Sequence, residues 1–278
     1  MNNTFAEFRK YLLVSKGVSD VTIQGYVGSI KPMFRRMKTH YPIYPTHEQI
    51  TDYIAWMYDQ EYSYHYIVNT SLAIEWWTKF HGYPIKLGRP RKPRTIIKDV
   101  LSEAEITRMI AITKNIREKA IITLLAYSGI RNKELCGLRV CDINLGDNMI
   151  RVLSGKGSRD RLIHISGDCS RVMLEYLNQY QRTPEDYLFT TLVRNEKYSS
   201  WALRKLMKVL SNRADIRKRV YPHLLRHSLA VNLLRRGCNL VLIQRQLGHA
   251  YISSTEIYIA SFPQRVQSQY HLFIPSYL

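Results

Sequence analysis

Acidic residues are scarce in this chain. Its 278 residues hold 22 Asp and Glu against 41 Lys and Arg, a formal net charge of +19. Such an imbalance points to a polyanionic partner. Cysteine is scarce as well: Cys136, Cys141, Cys169 and Cys238 form no C-x-x-C pair, which argues against a zinc site and for free buried thiols. No stretch approaches about 20 apolar residues, and the first ten residues lack the basic-then-apolar pattern of a secretory leader. A membrane span is therefore not expected, and a reduced, cytoplasmic setting is. Also missing are a carboxylate cluster and a glycine-rich phosphate loop, so neither a metal nor a nucleotide cofactor is expected. There is no internal repeat and no low-complexity tract.

The positive charge has a distribution. Residues 1–85 carry 8 Lys and Arg against 7 Asp and Glu, and are almost balanced. Residues 86–98 carry 6 cations and no anion, and residues 99–278 carry 27 against 15. The excess thus lies on a folded region and one short segment, not on a disordered tail. Helical spacing of Phe5, Phe8 and Leu12, and of Ile23, Tyr26, Ile30, Met33, Phe34 and Met37, predicts two amphipathic helices, the second kinked at Pro32. Thr46 and Gln49 form a capping box before a third helix, and Tyr64 to His81 reads as a fourth. Three prolines, two glycines and a run of cations then break the pattern between Gly82 and Arg94, which marks a linker. Ser102 and Glu105 cap the first helix of a second region. Further helices are expected over Asp168–Tyr180, Ser199–Asn212, His223–Arg236 and Leu240–Leu247, with two strands at Met149–Leu153 and Arg161–Ile165. The fold class is mainly α with a small β-sheet.

The chemistry-bearing residues sit in five boxes. Gly129 reads as the stop of an apolar helix, and Arg131 opens the next one with Glu134 three residues on, close enough to orient its guanidinium. A cation at a helix start is disfavoured by the helix dipole, so a bound anion would account for it. Lys156 stands on a glycine-flanked hairpin tip, which by itself could be a solvated lysine. His223 and Arg226 project from one helix face, a proton-transfer group beside a permanent cation. His227 reads as structural, beside Ala230 and Val231. His249 follows Leu247-Gly248 and could simply close a helix. Tyr258 is one of 20 tyrosines, singled out by its place nine residues past His249, with Tyr251 as its nearest rival. Two histidines, arginines, a lysine and a tyrosine are the parts needed to attack a phosphodiester without a metal.

In this order and at this spacing, Arg131, Lys156, His223, Arg226, His249 and Tyr258 resemble the active site of the tyrosine recombinase (phage integrase / Xer-like) family. The resemblance covers residues 100–260 closely and the helical N-terminal part more loosely. His164 departs from it, standing where Xer-type members often have proline, and Val140-Cys141 replaces a more polar pair before Asp142. The resemblance implies a helical core-binding domain at 1–82, a basic interdomain linker at 83–99 and an α+β catalytic domain at 100–261. The two domains would form a C-shaped clamp around DNA, and a C-terminal tail, 262–278, would dock on a neighbouring protomer. Tyr258 would be the nucleophile and would leave a 3′-phosphotyrosyl link. Arg131 and Arg226 would hold the non-bridging oxygens, with Glu134 in support. Lys156, its pKa lowered by the arginines, would protonate the leaving 5′-oxygen. His223 would assist deprotonation of Tyr258, and His249 would hydrogen-bond the phosphate or orient the tyrosine. Lys86, Arg89, Arg91, Lys92 and Arg94 of the linker would contact phosphates. The implied partners are double-stranded DNA with an inverted-repeat recombination site and three further copies of the chain in a tetrameric synapse. The implied setting is the cytoplasm, at the nucleoid. Within the family, an Xer-like resolvase, a transposon cointegrate resolvase and a simple integrase all stay open. Outside it stand a type IB topoisomerase and a catalytically silent DNA-binding factor.

Overall fold

A computed structural model of the chain describes residues 2–37, 44–89, 99–153, 160–191 and 196–248. The chain divides into two compact units, Met1–Ile96 and Ile97–Leu278.

The first unit is helical among its described residues. Helix α1, Asn2–Lys10, runs into a π-helical turn, Tyr11–Ser15, which buries Leu12 and leaves Leu13 and Val14 exposed. Gly17 then turns the chain with φ of 62°. Helix α2, Asp20–Arg36, is capped by Ser19 and continues through Pro32 to its end. Helix α3, His47–Asp59, starts at the Thr46–Gln49 capping box, whose two bonds measure 3.2 and 3.0 Å. Helix α4, Tyr64–Phe80, is capped by Ser63. The apolar stripes converge on Trp77, whose ring lies 5.1 to 5.7 Å from Phe5, Phe8 and Phe34. The segment after α4 is strapped back onto it. Ile85 N–H donates to Thr78 Oγ1 (3.2 Å), Leu87 N–H donates to Glu75 Oε1 (2.9 Å), and Ile85 and Leu87 pack on the core.

In the second unit, helix α5, Glu103–Ala111, starts at the Ser102–Glu105 capping box. Helix α6, Ile116–Ser128, is buried on nearly every face, from Ala120 to Ala126 without a break. Such a helix must be the centre of its core. Helix α7, Asn132–Gly137, follows, and a 3₁₀ turn at Val140–Asp142 leads to strand β1, Ile143–Asn144. Strands β2, Met149–Val152, and β3, Arg161–His164, complete an antiparallel sheet of order β1-β2-β3. Two residues are too few for a periodic signal, so β1 was not legible in advance. Helices α8, Gly167–Tyr180, α9, Ser200–Arg213, α10, Pro222–Arg235, and α11, Leu240–Leu247, follow. Helices α5, α8 and α10 pack on α6. Helix α10 is stitched to the start of the unit: Leu101 N–H donates to Ser228 Oγ (2.8 Å), and Asn232 Nδ2 donates to Leu101 O (3.4 Å). The buried-thiol expectation holds for Cys136 and Cys169. It fails for Cys141, which is exposed on the 3₁₀ turn, and for Cys238, which is half-buried in the α10–α11 connection.

Candidate active site

Two helix ends build the site. Helix α6 closes at Gly129 (φ 63°) and α11 closes at Gly248 (φ 65°), both left-handed caps that favour glycine. Each cap turns carbonyls out of the helix toward the same place. Arg226, one turn into α10, reaches both ends: Nη1 donates to Gly129 O (2.6 Å) and Nη2 to Leu247 O (2.5 Å). Arg131 takes the next carbonyl along, with Nη2 donating to Gly248 O at 2.8 Å. The two guanidiniums therefore sit on consecutive carbonyls at the end of α11, one residue before His249. A helix C-terminus is where its dipole favours a cation. Arg131 opens α7 in sequence, but its charge belongs to the end of α11.

Glu134 holds this arrangement from beneath. It accepts from Arg131 N–H (2.8 Å) and from Arg131 Nη1 (2.8 Å). It also accepts both terminal nitrogens of Arg161, at 2.9 and 2.7 Å. Burial alone would raise the Glu134 carboxyl. The hydrogen bonds of Arg161 and Arg131 and the charge of Arg161 outweigh it and hold the group at about 2. Arg226 is 4% exposed, whereas the Arg131 side chain is 34% exposed and open to a ligand on one side. His223 is exposed at the first turn of α10, on the same helix face as Arg226, and His227 is half-buried.

Arg161 and Gln246 were missed by the sequence reading. In the β2–β3 register Arg161 pairs with Val152 and Ile163 with Ile150, so Arg161, Ile163 and Ile165 share the inward parity. A charged residue at inward parity requires an ionic partner, and that was the available signal. Gln246 on α11 mimics a neighbouring strand: its Oε1 accepts from His164 N–H (3.1 Å), and its Nε2 donates to His164 O (2.7 Å) and Ser128 O (3.3 Å). A proline at 164 would lack that N–H, so this departure from the family pattern has a local use.

Of the remaining expected site residues, Lys156, His249, Tyr258, Arg91, Lys92 and Arg94, and the 262–278 tail, lie outside the described residues. Lys86 is exposed. Arg89 pairs with Glu75 at 2.6 Å, and at 41% side-chain exposure it keeps a solvent-facing side. Among the described residues no helix is long and apolar enough to cross a membrane.

Comparison with known proteins gives the same direction as the geometry. Residues 99–265 match the model of the phage integrase family. A tyrosine recombinase XerA from Pyrococcus horikoshii is 32% identical over 260 residues, covering 91% of this chain and 87% of the relative. The crystal structure of a XerA recombinase aligns over 99% of this chain and 100% of its own, at 28% identity and a TM-score of 0.58. The XerH recombinase bound to its difH substrate shares the fold, with a TM-score of 0.76 at 19% identity over 95% of this chain and 83% of that one. A family match spanning all but the far end of the second unit, with a relative of this identity along most of both chains, makes this protein a member of the phage integrase family, the site-specific tyrosine recombinases.

Proposed function

We propose that this recombinase cuts and rejoins DNA with Arg131, Lys156, His223, Arg226, His249 and Tyr258, supported by Glu134. The Tyr258 oxygen attacks a backbone phosphorus, the bond to the 5′-oxygen breaks, and a 3′-phosphotyrosyl ester forms. His223 assists removal of the phenol proton, and Lys156 delivers a proton to the departing 5′-oxygen. His249 hydrogen-bonds the phosphate or orients Tyr258. Arg131 and Arg226 stabilise charge on the non-bridging oxygens, for which a planar, permanently charged, bidentate group is suited. A 5′-hydroxyl from another strand reverses the step and completes exchange. The ester conserves the bond energy, so no nucleotide or metal is needed.

The observation that carries this reading is the convergence of two guanidiniums on consecutive carbonyls at the end of α11. Protein atoms hold them there in advance, so little reorganisation is left for the moment of reaction. An open cleft of about 540 Å³ in the same unit also presents cations, being lined by Arg204, Arg219 and Tyr221, with Asp99 and Leu224. Similarity to XerA over 91% of this chain and 87% of that relative favours an Xer-like role over a transposon resolvase or simple integrase. In this reading residues 1–82 bind the core of an inverted-repeat site and 100–261 carry out the chemistry. The basic linker, 83–99 with Lys86, Arg89, Arg91, Lys92 and Arg94, crosses the duplex between them. Four copies assemble through the 262–278 tail.

Tyr258→Phe tests the reading. Incubated with DNA nicked beside the cleavage point and run on a denaturing gel, it is expected to bind the site but give no covalent band. A surviving band would move the nucleophile to Tyr251 or elsewhere. The wild-type reaction is expected to proceed in EDTA.

A further inference from the structure

Arg161 has no part in the chemistry above, yet it is tightly held beside it. It begins β3, the strand returning from the 153–160 connection, and its side chain is only 11% exposed. It takes both oxygens of Glu134, whereas the Arg131 guanidinium takes one. Its Nε is buried without a hydrogen-bond partner among the described residues. Its Cδ, Nε and Cζ occupy the space a Cβ on Gly248 would need, at 2.4, 2.5 and 2.9 Å. One side chain thus touches the carboxylate under Arg131 and the backbone that leads to His249.

We propose that Arg161 is a positioning residue that keeps the charge of Arg131 available to the phosphate; this rests on the reading of Arg131 as a phosphate-holding group. Arg131, Glu134 and Arg161 together carry one surplus positive charge. Arg161 is the inner cation and engages Glu134 fully, so the surplus lies on the outer one, Arg131. With Arg161 neutral, Glu134 cancels Arg131 directly, and the field at the phosphate collapses although every atom of Arg131 remains. A purely structural strut would depend on the shape of residue 161 but not on the charge balance of the triad.

The test measures the rate of covalent adduct formation on nicked DNA at saturating DNA. The variants are Arg131→Ala, Arg161→Gln, Arg161→Lys and the double variant Arg161→Gln with Glu134→Gln. Each is checked by circular dichroism, melting and DNA affinity. Arg161→Gln is expected to cleave about 30-fold or more slowly with little change in DNA affinity. The double variant restores the surplus charge and is expected to recover at least about tenfold of that loss. Arg161→Lys is expected to stay within about tenfold of wild type. A folded double variant no faster than Arg161→Gln overturns the proposal. Should Arg161→Gln not fold, Arg161→Lys decides: a folded protein as inactive as Arg131→Ala rules out the charge role, and one near wild type supports it. If Arg131→Ala itself cleaves normally, the reading of Arg131 fails. If Arg131→Ala is inactive while Arg161→Gln cleaves normally, only the Arg161 proposal fails.

Discussion

The first unit keeps its described cations at the surface, whereas the second, which also lays cations over rings, buries arginines as well. In the first, cations ride over aromatic rings outside the core: Arg36 lies 4.0 Å from the Trp56 ring, and Lys16 and Lys79 lie 5.8 and 5.7 Å from Trp76. The core beneath is built of apolar side chains and rings. In the second, arginines enter the interior, where Arg226 ties two helix ends and Arg161 pairs with the largely buried carboxylate of Glu134. A surface cation keeps its water and its freedom, at little cost and little gain. A buried one loses its hydration, so it persists only with carbonyls and carboxylates aimed at it. The difference fits the proposed function, in which the second unit stabilises a transition state and requires charge already in place.

The largest effect should come from breaking the interior network. Arg226→Met leaves the Gly129 and Leu247 carbonyls without their guanidinium. It is expected to cost about 3 kcal/mol or more of stability in urea unfolding, and to reduce adduct formation on the order of a thousandfold. A variant that cleaves normally would place Arg226 among structural cations only.

Two glycines with nearly the same backbone angle sharpen the contrast. Gly248 (φ 65°) abuts Arg161, whereas Gly17 (φ 62°) has nothing within 4 Å of a built Cβ. Gly17→Ala is expected to cost about 1 kcal/mol, the left-handed backbone penalty alone. Gly248→Ala adds a clash with a side chain that cannot retreat, and is expected to cost about twice as much and to slow cleavage at least about tenfold. Equal melting temperatures would mean that the Arg161 packing is soft.

Acid should act on the second unit through Glu134. Its folded pKa of about 2 lies below its ordinary value of 4.5, so the unfolded chain takes up the proton first as pH falls. The contribution of Glu134 is complete above about 4.5 and drains as pH falls toward about 2, on the order of 3 kcal/mol in all. Glu134→Gln is expected to flatten the stability profile in that window while lowering stability at neutral pH. An unchanged acid limb would remove the ion pairs as its cause.

The smallest effect belongs to the surface cations. Arg36→Ala, which removes the Trp56 contact, is expected to cost about 1 kcal/mol or less in thermal melts. A larger loss would show that the first unit too depends on fixed charge.

Much of the architecture was legible because it rests on local rules. The capping boxes at Thr46 and Ser102, the Gly129 stop and the span of α11 from Leu240 to Leu247 all follow from interactions within one helical turn. The Arg131–Glu134 contact belongs to the same class, three residues apart. The two-residue strand β1 and the π-helical turn after α1 were not legible, since neither leaves a repeat long enough to count. Helix α2 continues through Pro32, because burial of Ile30, Met33 and Phe34 on both sides outweighs one missing backbone hydrogen bond.

The sequence by itself determined which residue types are present, in what order and on which helix face or strand parity, since these depend on periods of 3.6 and 2 along one chain. It placed His223 with Arg226, and it put Arg161 and Ile163 at one strand parity. Only the tertiary structure decided what those side chains meet. The Arg131–Gly248 bond joins residues 117 apart, Arg226–Gly129 residues 97 apart and Arg161–Glu134 residues 27 apart. Such partners are chosen by where packed helices end. A guanidinium also reaches far enough past its own backbone that local pattern cannot say which carbonyl or carboxylate it will find.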